Sequence, residues 1–192
     1  MKPTLLRIAQ LGNPILRKKA KLVKAPYSQE IRTLVADMIA TADDAGGVGI
    51  AAPQVYQSLQ LFIIASMPTP AYPRAPRIPP TAIINPVVIS KSRATVKDWE
   101  GCLSIPNLRA QVSRAASVKV EYTDINKPKR IRKTFTGLAA RIFQHEFDHI
   151  QGILFIDRVR SKDLVSEIEY MRQIKAKNKK VKEKATKKGK RK

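Results

Sequence analysis

Cysteine occurs once in these 192 residues and histidine only twice. A single cysteine can form no internal disulfide, which fits a reducing compartment, and a chain of this length can bury an adequate core without such staples. No stretch reaches the roughly 18 consecutive apolar residues that a membrane helix needs, so no membrane association is expected. Charge interrupts the first residues, Met1 to Arg7, before a signal-like apolar run develops. The cytoplasm is therefore the expected location. There is no internal repeat, and one domain acting as a monomer is the expected organisation.

What is scarce is also concentrated. His145 and His149 both lie in Gln144-His145-Glu146-Phe147-Asp148-His149, an H-E-x-x-H pattern. Four-residue spacing on a helix puts both imidazoles on one face, where they can reach one ion, with Glu146 beside any water that ion binds. The sole cysteine, Cys102, lies in Glu100-Gly101-Cys102-Leu103-Ser104. A lone cysteine usually reads as a small buried hydrophobe, and a lone histidine as one satisfied by hydrogen bonds. Here the whole His and Cys inventory falls in two motifs. One thiolate and two imidazoles make a three-ligand set with an open fourth position, the pattern of catalytic rather than structural sites. Such a set suits Fe(II), Zn(II), Ni(II) or Co(II).

A third motif is Gly47-Val48-Gly49-Ile50-Ala51-Ala52-Pro53-Gln54. Its small residues let another backbone approach, so an extended peptide could pair with it. Gln54 offers a neutral amide donor to an oxygen that becomes negative in a transition state. The run lacks the spacing and following helix of a nucleotide-binding loop.

The hydrophobic pattern is α+β. Ser28 can cap a helix carrying Ile31, Leu34, Val35, Met38, Ile39 and Ala42, ended by the glycines from Gly46. Leu59 to Ala65 and Thr81 to Ser90 read as strands. Between them Met67 to Pro80 holds six prolines and reads as an irregular loop. Val118, Val120 and Tyr122 alternate with polar residues before a turn at Asp124 to Pro128. Thr136 can cap a helix from Gly137 to about Gln151, stopped by Gly152 and carrying Leu138, Ile142, His145 and His149 on one face. A last helix is predicted from near Ser161, with Leu164, Ile168 and Met171 as its stripe.

The net charge of +22 is uneven: Arg172 to Lys192 holds twelve Lys/Arg and one Glu, half of the total. Residues 172–192 therefore read as a basic, disordered tail suited to phosphate contact with nucleic acid, and residues 1–171 as the catalytic domain. The tail has no aromatic residue, so base stacking is not available to it.

The three motifs, complete and in this order, resemble those of peptide deformylase. The likeness runs from near Leu6 to about Leu164 and includes Asn13-Pro14-Ile15-Leu16-Arg17, Ile84-Asn85-Pro86 and Ser104-Ile105-Pro106. It implies small mixed or antiparallel sheets packed around a central metal-binding helix, with a C-terminal helix. The implied reaction is hydrolysis of the formyl group from N-terminal formylmethionine of nascent polypeptides, the metal acidifying water and polarising the formyl oxygen. Cys102, His145 and His149 match the metal ligands, and Fe(II) is the ion the resemblance points to. Glu146 matches the proton-transfer residue. Gln54 and the Leu103 N–H match the oxyanion donors, and Gly49 and Gly101 the positions that hold substrate backbone. Val48, Leu138 and Ile142 are candidates for the methionine pocket. The basic tail would place the enzyme on ribosomal RNA, near its substrate. Asp98-Trp99, Arg141 and the longer proline-rich loop depart from the commonest pattern, which leaves the implied reaction intact but not the details of the pocket's rim or its affinities. Two other readings are an H-E-x-x-H metallopeptidase, against which Cys102 argues, and a ribosome- or RNA-binding protein with a vestigial site.

Overall fold

The computed structural model describes residues 2–68, 75–127 and 129–176. Helix α1, Gln29–Asp44, starts where the Ser28 side chain accepts from the Ile31 N–H and ends before Gly46, whose φ of 65° suits glycine. Strands β1 (Gly49–Ala51), β2 (Leu61–Ser66), β3 (Ile78–Lys91), β6 (Ser117–Thr123) and β7 (Ile131–Thr136) form one antiparallel sheet in the order β1-β2-β3-β6-β7. Strands β4 (Thr95–Cys102), β5 (Ile105–Ala115) and β8 (Val165–Ser166) form a second, in the order β4-β5-β8. Helix α2, Gly137–Ile150, lies between them and packs on both.

The unbroken apolar run of β2 follows from burial on two faces. Phe62 and Ile64 join Phe143 and Ile142 of α2 in one core, while Leu61 and Ile63 join Met38 and Val35 of α1 in another. Strand alternation divides the run between the two helices. On β6 only one side is covered: Val118, Val120 and Tyr122 are buried, and Lys119 is exposed. A third core, of Leu16, Ile105, Ala110, Val112, Leu154 and Phe155, fills the space beneath the smaller sheet.

Several local expectations are corrected. Thr136 occupies the N-cap position of α2 but makes no side-chain cap bond. Residues 78–80, assigned to the proline-rich loop, begin β3. Pro79 and Pro80 are tolerated there because this end of β3 pairs only with β2, and pairing with β6 begins at Ile84. Residues 69–74 of the loop lie outside the described residues. The C-terminal helix does not start at Ser161: residues 161–163 make a 3-10 turn, β8 follows, and the helix covers residues 167–176 of the described chain. Leu164 precedes it, Ile168 is 68% exposed, and the residue it buries is Tyr170, edge-on to Trp99 at 5.0 Å. The short strand takes Leu108 and Arg109 of β5 as partners, and that pairing resets the helix start. The helix continues past Met171 to residue 176, and residues 177–192 of the basic tail lie outside the described residues. No described helix is long and apolar enough to cross a membrane.

Candidate active site

Three elements meet at one point. The β4–β5 register shifts between Glu100 and Cys102, so a bulge sits at Gly101 at the end of β4. Helix α2 contributes His145, Glu146 and His149, all buried. The 3-10 turn Ala52–Val55, directly after β1, contributes Gln54. The N-terminal arm fastens these parts together: the Ala9 N–H donates to the Gln54 carbonyl and the Leu11 N–H to the Ser104 carbonyl, both at 2.8 Å.

One ligand atom each from Cys102, His145 and His149 lies within 4.8 Å of the others. Cys102 Sγ stands 3.2 Å from His149 Nε2. His145 Nδ1 is engaged 2.9 Å from Glu100 Oε2, which leaves Nε2 for another partner. Burial pushes the Cys102 thiol up, but the His149 charge and hydrogen bonds from both imidazoles outweigh it and hold the group well below its ordinary value. Burial would lower His145, yet hydrogen bonds to Cys102 and Glu100 and the charge of Glu146 raise it well above the usual imidazole range.

The donor set fits a metal on two further counts. Glu146 Oε2 is buried beside the ligands with no hydrogen-bond partner. Burial, opposed by the two imidazoles and helped by Cys102 and Glu100, pushes the Glu146 carboxyl up to about 7. A nearby divalent cation would draw it back toward the charged form. One metal ion would engage the thiolate and both imidazoles together, in place of the proton-mediated contacts that now pair them.

Gln54 is 2% exposed, and its amide is oriented by its neighbours. Its Oε1 accepts from the Ala51 N–H at 2.8 Å, which turns Nε2 toward Ser104 Oγ at 3.1 Å and Cys102 Sγ at 3.5 Å. Leu103 occupies the tight turn between β4 and β5, and its carbonyl accepts from Gln10. A Cβ on Gly49 would stand 2.5 Å from Glu146 Oε1. A Cβ on Gly101 would collide with the Arg109 guanidinium. Of the apolar candidates, Val48 is exposed beside β1, Leu138 is half-buried on the first turn of α2, and Ile142 is buried in the core beneath it.

Sequence reasoning gave no role to the charged network behind the ligands. Glu100 is buried against Arg114, at 2.8 and 2.9 Å, Arg141, at 2.7 Å, and His145. Burial raises its carboxyl, and the hydrogen bonds and charges of Arg114 and His145 overcome that and hold it far below the usual carboxylate range. Asp148 accepts from Arg114 and from Arg158. Arg141 and Trp99, two of the departures from the commonest pattern, lie in the packing behind the ligands: Arg141 is buried between α2 and the β4–β5 hairpin, and Trp99 packs on Tyr170. The signal for this network was thin. Arg141 and Asp148 fall four before and three after His145, hence on its stripe of the helix, but nothing local announces Arg114.

Comparison with known proteins agrees with this geometry. A family model described as polypeptide deformylase matches residues 5–165. Peptide deformylase 2 of Nostoc sp. is 52% identical over 171 residues, covering 88% of this chain and 95% of that protein. The class I type b peptide deformylase of Acinetobacter baumannii, solved with Met-Ala-Ser bound, superposes with a TM-score of 0.79 at 42% identity, covering 83% of this chain and all of that one. The Thermotoga maritima peptide deformylase gives 0.72 at 35% identity, covering 81% and 98%. The chain therefore belongs to the polypeptide deformylase family, metal-ion enzymes that remove the formyl group from newly made polypeptides.

Proposed function

We propose that the junction of β4, α2 and the Gln54 turn is where this chain deformylates N-terminal formylmethionine, with Cys102, His145 and His149 holding one divalent ion. The observation that carries this reading is the convergence of the only cysteine, half-buried, and both buried histidines on one point. A divalent ion bound there supplies Lewis acidity, lowering the pKa of water and polarising the formyl carbonyl. Glu146, buried beside the ligands, takes the proton of the attacking water and delivers it to the departing amine nitrogen. Gln54 Nε2 and the Leu103 N–H donate to the formyl oxygen as it becomes negative. Gly49 and Gly101 leave room for the peptide backbone. The methionine side chain goes between Val48 and Leu138, over Ile142. Formyl is the smallest acyl group, so a crowded site admits it and rejects larger ones. The Acinetobacter relative, solved with Met-Ala-Ser bound, supports a peptide beginning with Met.

Fe(II) is the working ion in this proposal, and Zn(II), Ni(II) and Co(II) suit the same donors. The reaction runs in the cytoplasm, where an unpaired cysteine stays reduced. The enzyme acts as a monomer, and its basic tail, residues 172–192 following the domain 1–171, contacts ribosomal RNA through phosphates. The deciding experiment is anaerobic purification followed by metal analysis and assay on a formyl-Met peptide beside an unblocked casein-type substrate. One equivalent of iron and release of formate alone support the reading. Cleavage of internal peptide bonds would move the chain to the metallopeptidases.

A further inference from the structure

Arg141 of α2 bonds to both strands of the hairpin that carries Cys102. It lies one turn before His145, with its side chain 10% exposed. Its Nη1 donates to Glu100 Oε1 at 2.7 Å, to the Val112 carbonyl at 2.9 Å and to the Asp98 carbonyl at 3.3 Å. Its Nη2 donates to the Val96 carbonyl at 2.6 Å. Val96 and Asp98 belong to β4 and Val112 to β5, so a single guanidinium spans both strands of the hairpin. The other oxygen of Glu100 faces His145 Nδ1. Cys102 and His149 are 47 residues apart in sequence and their donor atoms 3.2 Å apart in space. Apolar packing is non-directional and fixes a strand-to-helix offset only loosely. A planar fork with several donors fixes it in translation and rotation.

We infer that Arg141 is a positioning residue that sets the offset between the strand bearing Cys102 and the helix bearing His145 and His149, and at the same time locks the His145 ring through Glu100. The inference rests on the proposed metal site, since the offset matters only if those three side chains bind one ion. Groups behind metal ligands are worth about 10–100-fold in metal affinity or activity when removed. Lysine keeps the charge at this position but has no planar fork to span four acceptors.

The test uses the full chain loaded with Co(II), whose visible absorption reports ligand geometry directly. The parent, Arg141→Lys and Arg141→Met are compared for that spectrum, for metal affinity, and for kcat and KM on a formyl-Met peptide. The parent should bind one Co(II) with a thiolate charge-transfer band; if it does not, the metal-site reading fails and this inference with it. In a competent parent background, both variants should show an altered Co(II) spectrum, weaker metal binding and a kcat lowered about 10–100-fold, with KM little changed. Lysine should rescue thermal stability more than it rescues the spectrum. If Arg141→Met does not fold, Arg141→Lys decides alone. A folded variant of either kind with the parent's spectrum and kcat, even at a lower Tm, would overturn the inference and leave Arg141 a purely structural residue.

Discussion

Gly49→Ala tests the geometry at its tightest point. Gly49 has no positive φ, so alanine brings no backbone penalty; its effect is steric. The added Cβ would stand 2.5 Å from Glu146 Oε1, 2.9 Å from Cδ and 3.0 Å from Cγ. Ordinary contact begins near 3.4 Å, so the carboxylate must retreat by about 0.9 Å, and it is buried with little room to do so. A misplacement of about 1 Å costs on the order of 10²-fold in rate, or about 2.7 kcal/mol of transition-state stabilisation. We expect kcat on a formyl-Met peptide to fall about 100-fold, with bound metal retained and Tm lowered by a few degrees from overpacking worth about 1–3 kcal/mol. Gly49 is also proposed to admit the substrate backbone, and that role would raise KM. The two roles separate in a double-mutant cycle with Glu146→Ala. If the collision with Glu146 is the cause, Gly49→Ala costs little more once the carboxylate is gone. A Gly49→Ala enzyme within about three-fold of the parent kcat would refute the contact argument. So would full additivity with Glu146→Ala.

Glu146→Ala should keep its metal and lose about 10²–10⁴-fold in kcat, because the residue moves a proton and ligates nothing; normal turnover would remove it from the mechanism. Cys102 is the only thiol, so one equivalent of a thiol reagent reports on it alone: metal should protect it and chelation expose it, and equal labelling rates would make it a bystander. The Glu100 carboxyl holds its charge in the folded state below the pH at which the unfolded chain takes up a proton. The stability it contributes is therefore present above about pH 4.5 and falls as pH drops from there toward the depressed folded-state value. Urea unfolding from pH 7 to pH 3, with chelator in every sample so that metal release does not enter, should show this acid loss in the parent and a flatter limb in Glu100→Gln; identical limbs would show that Glu100 is not the group responsible. Truncation after Ala176 removes ten Lys/Arg and one Glu while keeping the docked helix. It should leave turnover of a short formyl-Met peptide unchanged and weaken ribosome binding, with a shallower salt dependence, measured by co-sedimentation at several ionic strengths; undiminished ribosome binding would reduce the tail to a solubilising appendage.

The sequence alone determined what short-range geometry can encode. Helical spacing put His145 and His149 on one face, set Glu146 beside them, and marked α1 from cap to stop and the span of α2, because neighbours three or four apart on a helix meet whatever surrounds them. Strand alternation marked β6, and the apolar run marked β2. Chemical scarcity pointed to Cys102 as the third ligand without saying how it arrives. Short elements were less legible: β8 and the late start of the final helix depend on Leu108 and Arg109, more than fifty residues upstream in the register. The tertiary structure alone decided how Cys102 meets the helix. The bulge at Gly101, the burial of Arg141 against three carbonyls and Glu100, and the Arg114 link from Glu100 to Asp148 all join residues far apart in sequence. No local pattern encodes them, because a buried charge takes whatever partners packing brings within hydrogen-bond reach, and that neighbourhood exists only once both sheets have closed on α2.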